Sequence, residues 1–374
     1  MKIGVITPRY AISGVPLAQL RFARALAAGG HEVDLIIGRV DAHLTVPDVP
    51  GGAVHVLRKP NVRSMFVPLC TYLKRKKPEV VFSAEDHLNA LVLLAAVVTR
   101  STAKISGSCR VRPFDTYSNV PFTKRWVLKH VMQALTWRAD ALTCVSREMV
   151  DQYRAVFRNP PHVCVYNIVE DSASRGRIAE PVDDPWFLEK AIPIVVAAGT
   201  LAPWKGFSDL IYAISELSRK GRAVRLVILG EGPLRGELTA LTEKLGLTEQ
   251  VCLPGYTDNP LKYFARADVF VLSSHVEGLP NVLVEAMLCG CTPVSTDCPT
   301  GPREVLQDGR FGYLVPVQDP AALAAGIERA LDRPISKEEL ALAVRPFEEK
   351  TVLQRHFEIL GLSKSHRGSR CALV

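Results

Sequence analysis

The sequence predicts an α/β protein built from two doubly wound, Rossmann-like domains facing a central cleft. Three observations carry that prediction. Short apolar, β-rich runs alternate with helical stretches, which is the rhythm of βαβ units in a parallel sheet. A polar segment at 171–184, rich in Ser, Arg, Asp and Glu, divides the alternation into two series. The 374 residues, 48% of them apolar and 22% charged, suffice for two cores.

In the first series, strands are expected at 3–6, 32–37, 80–82, 104–106 and 141–145, with a helix at 16–28. The second has strands at 194–198, 225–229, 251–253, 269–272 and 293–295, with a helix at 207–220. The expected domains are therefore 1–175 and 185–345, joined by the polar segment. Beyond Leu331, Pro334 and Pro346 interrupt the helical pattern, and one more amphipathic helix within 346–361 is expected to pack back on the N-terminal domain. Residues 362–374 read as a disordered basic tail.

Composition narrows the function classes. No run approaches the ~18 apolar residues of a spanning helix, and residues 1–6 lack the longer apolar segment and cleavage site of an export signal, so a cytoplasmic location is expected. The nine cysteines lack a paired CxxC spacing and read as reduced core residues; Cys289 and Cys291 merely flank Gly290. Charge is lopsided. Residues 1–180 hold 25 Lys and Arg against 14 Asp and Glu, while residues 181–374 hold 21 against 24. The basic first half suggests an anionic partner, either a membrane surface or a phosphorylated acceptor; no aromatic-basic strand pattern or motif supports nucleic acid. A solvated basic face remains the plainer alternative. The same choice applies to 122–138, where Lys124, Arg125, Lys129 and Arg138 interleave with Trp126, Val127, Val131, Leu135 and Trp137, as in an interfacial helix.

Ligands of doubly wound sheets bind beyond the carboxyl ends of the strands, so motifs placed directly after strands gain weight. After the first strand, Ser13-Gly14 opens a helix and lets backbone approach a phosphate. The run from Gly199 to Gly206 follows the first strand of the second domain and ends on Lys205, a cation where helices usually favour anions. Gly230-Glu231-Gly232-Pro233 and Pro254-Gly255-Tyr256 follow the next two strands and suit a nucleotide wall, although either could be a plain connection. Most informative is Glu277 to Glu285, two carboxylates separated by seven residues in apolar surroundings. A buried carboxylate needs a polar partner. Pro280 suits a helix start and Gly290 its end, so Glu277 belongs to the loop ahead of the helix and Glu285 to the helix itself. The N–H groups of Gly278 to Val282 would then face the same space as Glu277, ready for an anion. A capping carboxylate beside a helix-surface glutamate is the simpler alternative.

Taken in order, the glycine-containing first loop, the Lys205 loop, Pro254-Gly255 and the Glu277/Glu285 pair resemble the retaining glycosyltransferases of family 4, of the GT-B fold. The resemblance spans nearly the whole chain. It is strongest over 194–316, where Ser295-Thr296-Asp297-Cys298-Pro299 and Gly301-Pro302-Arg303-Glu304 look like bacterial members that build surface polysaccharides. It implies an acceptor-binding N-terminal domain and a nucleotide-sugar-binding C-terminal domain. It also implies transfer of a hexose or N-acetylhexosamine, with retention, from a UDP-linked donor to a glycan or lipid-linked acceptor.

Carried onto this chain, Lys205 would bind the donor diphosphate, Glu277 the hydroxyls of the donor sugar, and Glu285 both ribose hydroxyls; Glu277 and Lys205 are the residues expected to carry catalysis. Gly14, Thr200, Gly230, Pro254 and Gly255 would line the donor site with Gly278, Leu279, Pro280, Asn281 and Val282. A carboxylate suits a vicinal diol because its two oxygens accept two O–H donors. Lys205 and the helix N-terminus would meet the leaving-group charge, so neither a metal nor another cofactor is expected, and the sequence has no DxD triplet.

Two positions depart from the family pattern. Thr200 stands where an arginine is usual, with Arg303 as a candidate substitute. The region that often carries an acceptor-side histidine reads Ser106-Gly107-Ser108-Cys109-Arg110-Val111-Arg112, where Arg110 and Arg112 either bind an acceptor phosphate or are surface charges. An inactive module that only binds nucleotide-sugar or glycan is the competing functional reading.

Overall fold

The computed structural model describes residues 1–42, 44–157, 161–189 and 191–362. The chain divides into two compact units: Met1–Val145 and Val150–Ile168 with the segment from Glu349, and Ser146–Met149 with Val169–Glu348.

The first unit is a seven-stranded parallel sheet. Its strands are β1 (Lys2–Tyr10), β2 (Glu32–Val40), β3 (Ala53–Val56), β4 (Val80–Ala84), β5 (Lys104–Cys109), β6 (Ala141–Cys144) and β7 (His162–Cys164), in the order β3-β2-β1-β4-β5-β6-β7. Near-continuous apolar runs such as Ile3–Ile6 are buried on both faces, as parallel strands between helices require. Helix Gly14–Ala28 places Leu20, Ala23 and Leu26 against the sheet at helical spacing, and the last helix, Glu349–Ile359, adds Val352 to the same core. The ring of Phe22 meets Phe82 of β4 and His356 of the last helix, each with centroids 4.9 Å apart.

The second unit has six parallel strands: β8 (Ile194–Ala198), β9 (Arg225–Leu229), β10 (Val251–Gly255), β11 (Val269–Leu272), β12 (Thr292–Thr296) and β13 (Tyr313–Val315), in the order β10-β9-β8-β11-β12-β13. Helices Phe207–Arg219 and Pro320–Asp332 bury Leu210, Ile214, Leu323 and Ile327 in one core with the strands. Strand order reverses between β1 and β4 in the first sheet and between β8 and β11 in the second. Adjacent connections part in opposite directions there and leave a crevice at the strands' carboxyl ends.

Three strands escaped the sequence pattern: β3, β7 and β13. All are short edge strands of three or four residues, too brief to set a pattern, and β3 is also broken by His55. The division of the chain also corrects the expected boundary. The chain passes from one unit to the other at Ile168/Val169, and 171–184 is a packed part of the second unit rather than a linker. Helix Ser174–Ala179 lies in it, Asn259 Nδ2 donates to the carbonyl of Arg177 at 2.8 Å, and Arg177 pairs with Asp171 at 3.0 Å. The last unit crossing falls at Glu348/Glu349. Of the expected tail, only Leu362 lies within the described residues. No helix among the described residues is long and apolar enough to cross a membrane.

Candidate active site

β8 and β11 are hydrogen-bonded neighbours, so the loops leaving their carboxyl ends run side by side at the switch point of the second sheet. One carries Lys205 and the other Glu277. Lys205 Nζ donates to Glu277 Oε1 at 2.6 Å, and Ser274 Oγ donates to the same oxygen at 2.6 Å. The two charged side chains are only 18% and 11% exposed. The pairing supplies the polar partner that an apolar setting demands of Glu277 and explains a cation just ahead of a helix. Thr300 Oγ1 donates to the Glu277 carbonyl at 2.6 Å and fixes the backbone there.

The two loops are joined along their length. The backbone N–H of His275 donates to the Trp204 carbonyl at 2.8 Å, Ser273 Oγ donates to the Lys205 carbonyl at 2.9 Å, and His275 Nε2 lies 2.7 Å from Asp209 Oδ2. Gly206, at φ 62°, allows this approach, because an added Cβ would run into the carbonyl oxygen of Ser273. Lys205 and Glu277 are thus held by backbone as well as by their own contact.

Helix Asn281–Leu288 follows, with Pro280 at its N-cap, one residue ahead of its first turn. Gly290 at φ 76° closes it, with the N–H of Cys291 donating to the Ala286 carbonyl at 3.0 Å. Leu283, Val284, Ala286 and Met287 face the core, which leaves Glu285, with Asn281 and Val282, on a partly buried face. Gly278, Leu279 and Pro280 pack against Gly301, where a Cβ would stand 2.6 Å from the Gly278 carbonyl oxygen.

The remaining donor-side candidates of this unit lie along the same strand edge. Thr200 is exposed. Leu201 N–H donates to the Glu231 carbonyl and Gly230 N–H to the Gly255 carbonyl, at 2.9 and 2.8 Å, tying the loops after β8, β9 and β10 together. Gly230 owes its identity to packing, since a Cβ there would collide with the Gly199 carbonyl. Pro254 and Gly255 end β10 beside a bidentate Glu231–Arg235 pair at 2.6 and 2.8 Å, which sequence reasoning missed although its i,i+4 spacing was readable. Arg303, the candidate substitute for the missing arginine, has its guanidinium engaged by Asp297 and Asp308.

In the first unit, Gly14 opens helix Gly14–Ala28 after β1, with no atom within 4 Å of where a Cβ would stand, so packing does not require a glycine there. Arg110 and Arg112 differ. Arg112 pairs with Asp115 at 3.0 Å, as a surface charge would. Arg110 Nε and Nη1 are sealed from solvent without a hydrogen-bond partner, in a small polar pocket with Gln19, Ser108 and His356. Burial lowers the Arg110 pKa to about 10, offset in part by Cys109 and Glu85. Two further residues went unnoticed in the sequence. Glu85, directly after β4, holds φ 78°, a strained conformation for a side-chain-bearing residue. Asp86 is buried and accepts from Tyr117 Oη at 2.6 Å and Tyr153 Oη at 2.9 Å; burial raises its pKa and these bonds oppose the rise. The basic amphipathic segment forms helix Lys124–Leu135, flanked by Phe122, 90% exposed, and by exposed Trp137.

Comparison with known proteins agrees with this architecture. A glycosyl transferase 4-like domain model matches residues 13–167, and a glycosyl transferases group 1 model matches 183–345. The chain is 32% identical over 322 residues to the N-acetylgalactosamine-N,N'-diacetylbacillosaminyl-diphospho-undecaprenol 4-alpha-N-acetylgalactosaminyltransferase of Campylobacter jejuni, covering 85% of this chain and 84% of that one. It is 29% identical over 307 residues to the putative glycosyltransferase EpsD of Bacillus subtilis, covering 78% and 80% of the two chains. The crystal structure of Anabaena HepE in complex with UDP and glucose superimposes with a TM-score of 0.75 at 19% identity, covering 96% of this chain and 99% of that one. Fold and relatives together define a glycosyltransferase of the GT-B class. The chain belongs to family 4 of these enzymes.

Proposed function

We propose that the protein is a retaining transferase that moves a hexose or N-acetylhexosamine from a UDP-sugar to a hydroxyl of a glycan or lipid-linked acceptor in surface-polysaccharide synthesis. The contact between Lys205 and Glu277 carries this reading, because it sets a cation and a hydroxyl-accepting carboxylate side by side at a switch point. Lys205 neutralises the diphosphate, Glu277 holds sugar hydroxyls, and Glu285 takes the ribose diol. The bond from the anomeric carbon to the diphosphate breaks as the acceptor oxygen bonds to that carbon from the same face. The acceptor proton passes to the leaving phosphate, so Glu277 positions the sugar and does not act as a base. Lys205 and the backbone N–H groups ahead of helix Asn281–Leu288 meet the developing charge without a metal.

The names of the relatives support the choice of substrates. The Campylobacter jejuni enzyme is named for a diphospho-undecaprenol-linked acceptor, and HepE is described with UDP and glucose. On the acceptor side, the buried and unpartnered N–H groups of Arg110 suit a phosphate, whereas Arg112 is already paired. Helix Lys124–Leu135, with exposed Val127 and Val131 beside Lys124 and Arg125, suits peripheral contact with an anionic membrane on its cytoplasmic face. A mass-spectrometric turnover screen against UDP-, GDP- and ADP-sugars tests the donor: the expected result is release of UDP from one UDP-sugar, and turnover of only a GDP- or ADP-sugar would refute it.

A further inference from the structure

A groove of about 590 Å³ opens in the first unit, beside β2 and the edge strand β3. Ile36 of β2 and Leu57, just past the end of β3, line one side, and Val67, Pro68 and Tyr72 line it from helix Phe66–Lys76. The helix runs against the strand direction: the Met65 sulfur, at its start, lies beside Gly38 near the carboxyl end of β2, whereas Tyr72 lies over Gly4 and Asp34. Val67 is 70% exposed, an apolar side chain facing open space. The volume falls in the range of ~300–1,000 Å³ typical of small-molecule sites.

The polar side chains of the groove other than its lysines and arginine already have partners. Asp34 accepts from Tyr72 Oη at 3.1 Å and lies 2.8 Å from His55 Nε2. Thr71 Oγ1 donates to the Val67 carbonyl and Ser64 Oγ to the Asn61 carbonyl, at 3.0 and 2.7 Å. A glycan, whose many hydroxyls need partners, would lose hydrogen bonds here, whereas a hydrocarbon chain would not. The rim is cationic. Lys59, Arg75 and Lys76 line it, and none of the lining residues is acidic. Lys59 stands at the carboxyl edge of the strands, its N–H donating to the Gly38 carbonyl at 2.8 Å, and that is the edge where doubly wound sheets bind ligands.

We propose that this groove holds the hydrocarbon chain of a phosphorylated isoprenoid, with its phosphate or diphosphate against Lys59. The proposal rests on the lipid-linked acceptor inferred above and gives that lipid a site of its own. Apolar walls recognise the chain, the cation recognises the head, and the sugar-bearing end is left at the carboxyl edge of the sheet.

The test is photolabelling of the full chain with a benzophenone-tagged farnesyl diphosphate, followed by peptide mapping. Labelling is expected within 55–76, competed by farnesyl diphosphate and not by inorganic diphosphate. Val67→Asp sets a carboxylate against the chain and Thr71→Trp fills the groove; both are exposed helix positions, and each should cut labelling about tenfold or more. Labelling that maps elsewhere, persists in both variants, or is competed equally by inorganic diphosphate overturns the site. Labelling requires no donor, so its failure leaves the transferase reading standing. Transfer to a soluble, chain-free acceptor glycan tests that reading separately.

Discussion

Lys205 Nζ lies 2.6 Å from Glu277 Oε1, although the two residues are 72 positions apart. They meet because β8 and β11 are adjacent where strand order reverses, so loops remote in sequence leave the sheet together. The pair is largely sheltered from water and shares its acceptor oxygen with Ser274. A donor diphosphate bound at Lys205 must therefore compete with, or sit beside, the Glu277 carboxylate.

Removing either partner should cost more than its own contact. Lys205→Ala leaves Glu277 with Ser274 alone and is expected to lower donor turnover by ~10²–10³-fold, the loss typical of one preorganised charge-stabilising group. Glu277→Gln should lower turnover while UDP affinity holds, and Glu285→Ala should weaken UDP binding. Steady-state kinetics of the single and double variants at 205 and 277 check the coupling, and additive losses would show that the two act separately.

Gly206→Ala should loosen the same site from the backbone. It combines a left-handed φ of 62° with a collision at the Ser273 carbonyl, so a loss of roughly 2 kcal/mol or more is expected in chemical denaturation. Gly236, in helix Arg235–Lys244 with nothing near its absent Cβ, is the control. Gly236→Ala should be neutral or stabilising by ~0.5–1 kcal/mol.

His275 and Asp209 join the glutamate loop to helix Phe207–Arg219, directly after the lysine loop, without belonging to the proposed substrate contacts. His275→Ala should raise the donor KM several-fold with a smaller effect on kcat, because Lys205 is then less well placed before the donor arrives. An unchanged KM in initial-rate measurements would make the contact merely structural.

Acid should destabilise the first unit through two buried histidines. Burial lowers the His356 pKa to about 3, helped by Arg110, and lowers that of His162 to about 4, both from 6.5. The unfolded chain therefore takes up protons that the folded chain refuses. Stability is complete above pH 6.5 and falls as pH drops toward the folded values, by roughly 1.4 kcal/mol per pH unit per histidine. Urea denaturation between pH 4 and 7 should show this slope, and His356→Gln should flatten it.

Much of the fold was legible because parallel strands between helices are continuous apolar runs, as at Ile3–Ile6 and Ile194–Ala198, where burial on both faces leaves no room for alternation. The edge strands were not, since β3 and β7 are only four and three residues long and β3 is interrupted by His55. At the site, the Lys205 loop and the Glu277 segment were readable from their places after strands and from their conflict with local rules. Their direct contact was not, because it depends on strand order, which no local pattern encodes. Likewise Arg110 and Arg112, two positions apart, looked equivalent until burial separated them. Gly230 read as a ligand-facing turn, and its packing on Gly199 became visible only with the strands in place.

The most direct test of the Lys205–Glu277 site is turnover of the identified UDP-sugar by the wild-type chain and by Lys205→Ala and Glu277→Gln, with the product anomer read by NMR. The expected result is an anomeric configuration retained from the donor and a loss of at least ~10²-fold in both variants. Wild-type rates in both variants, or an inverted product, would contradict it.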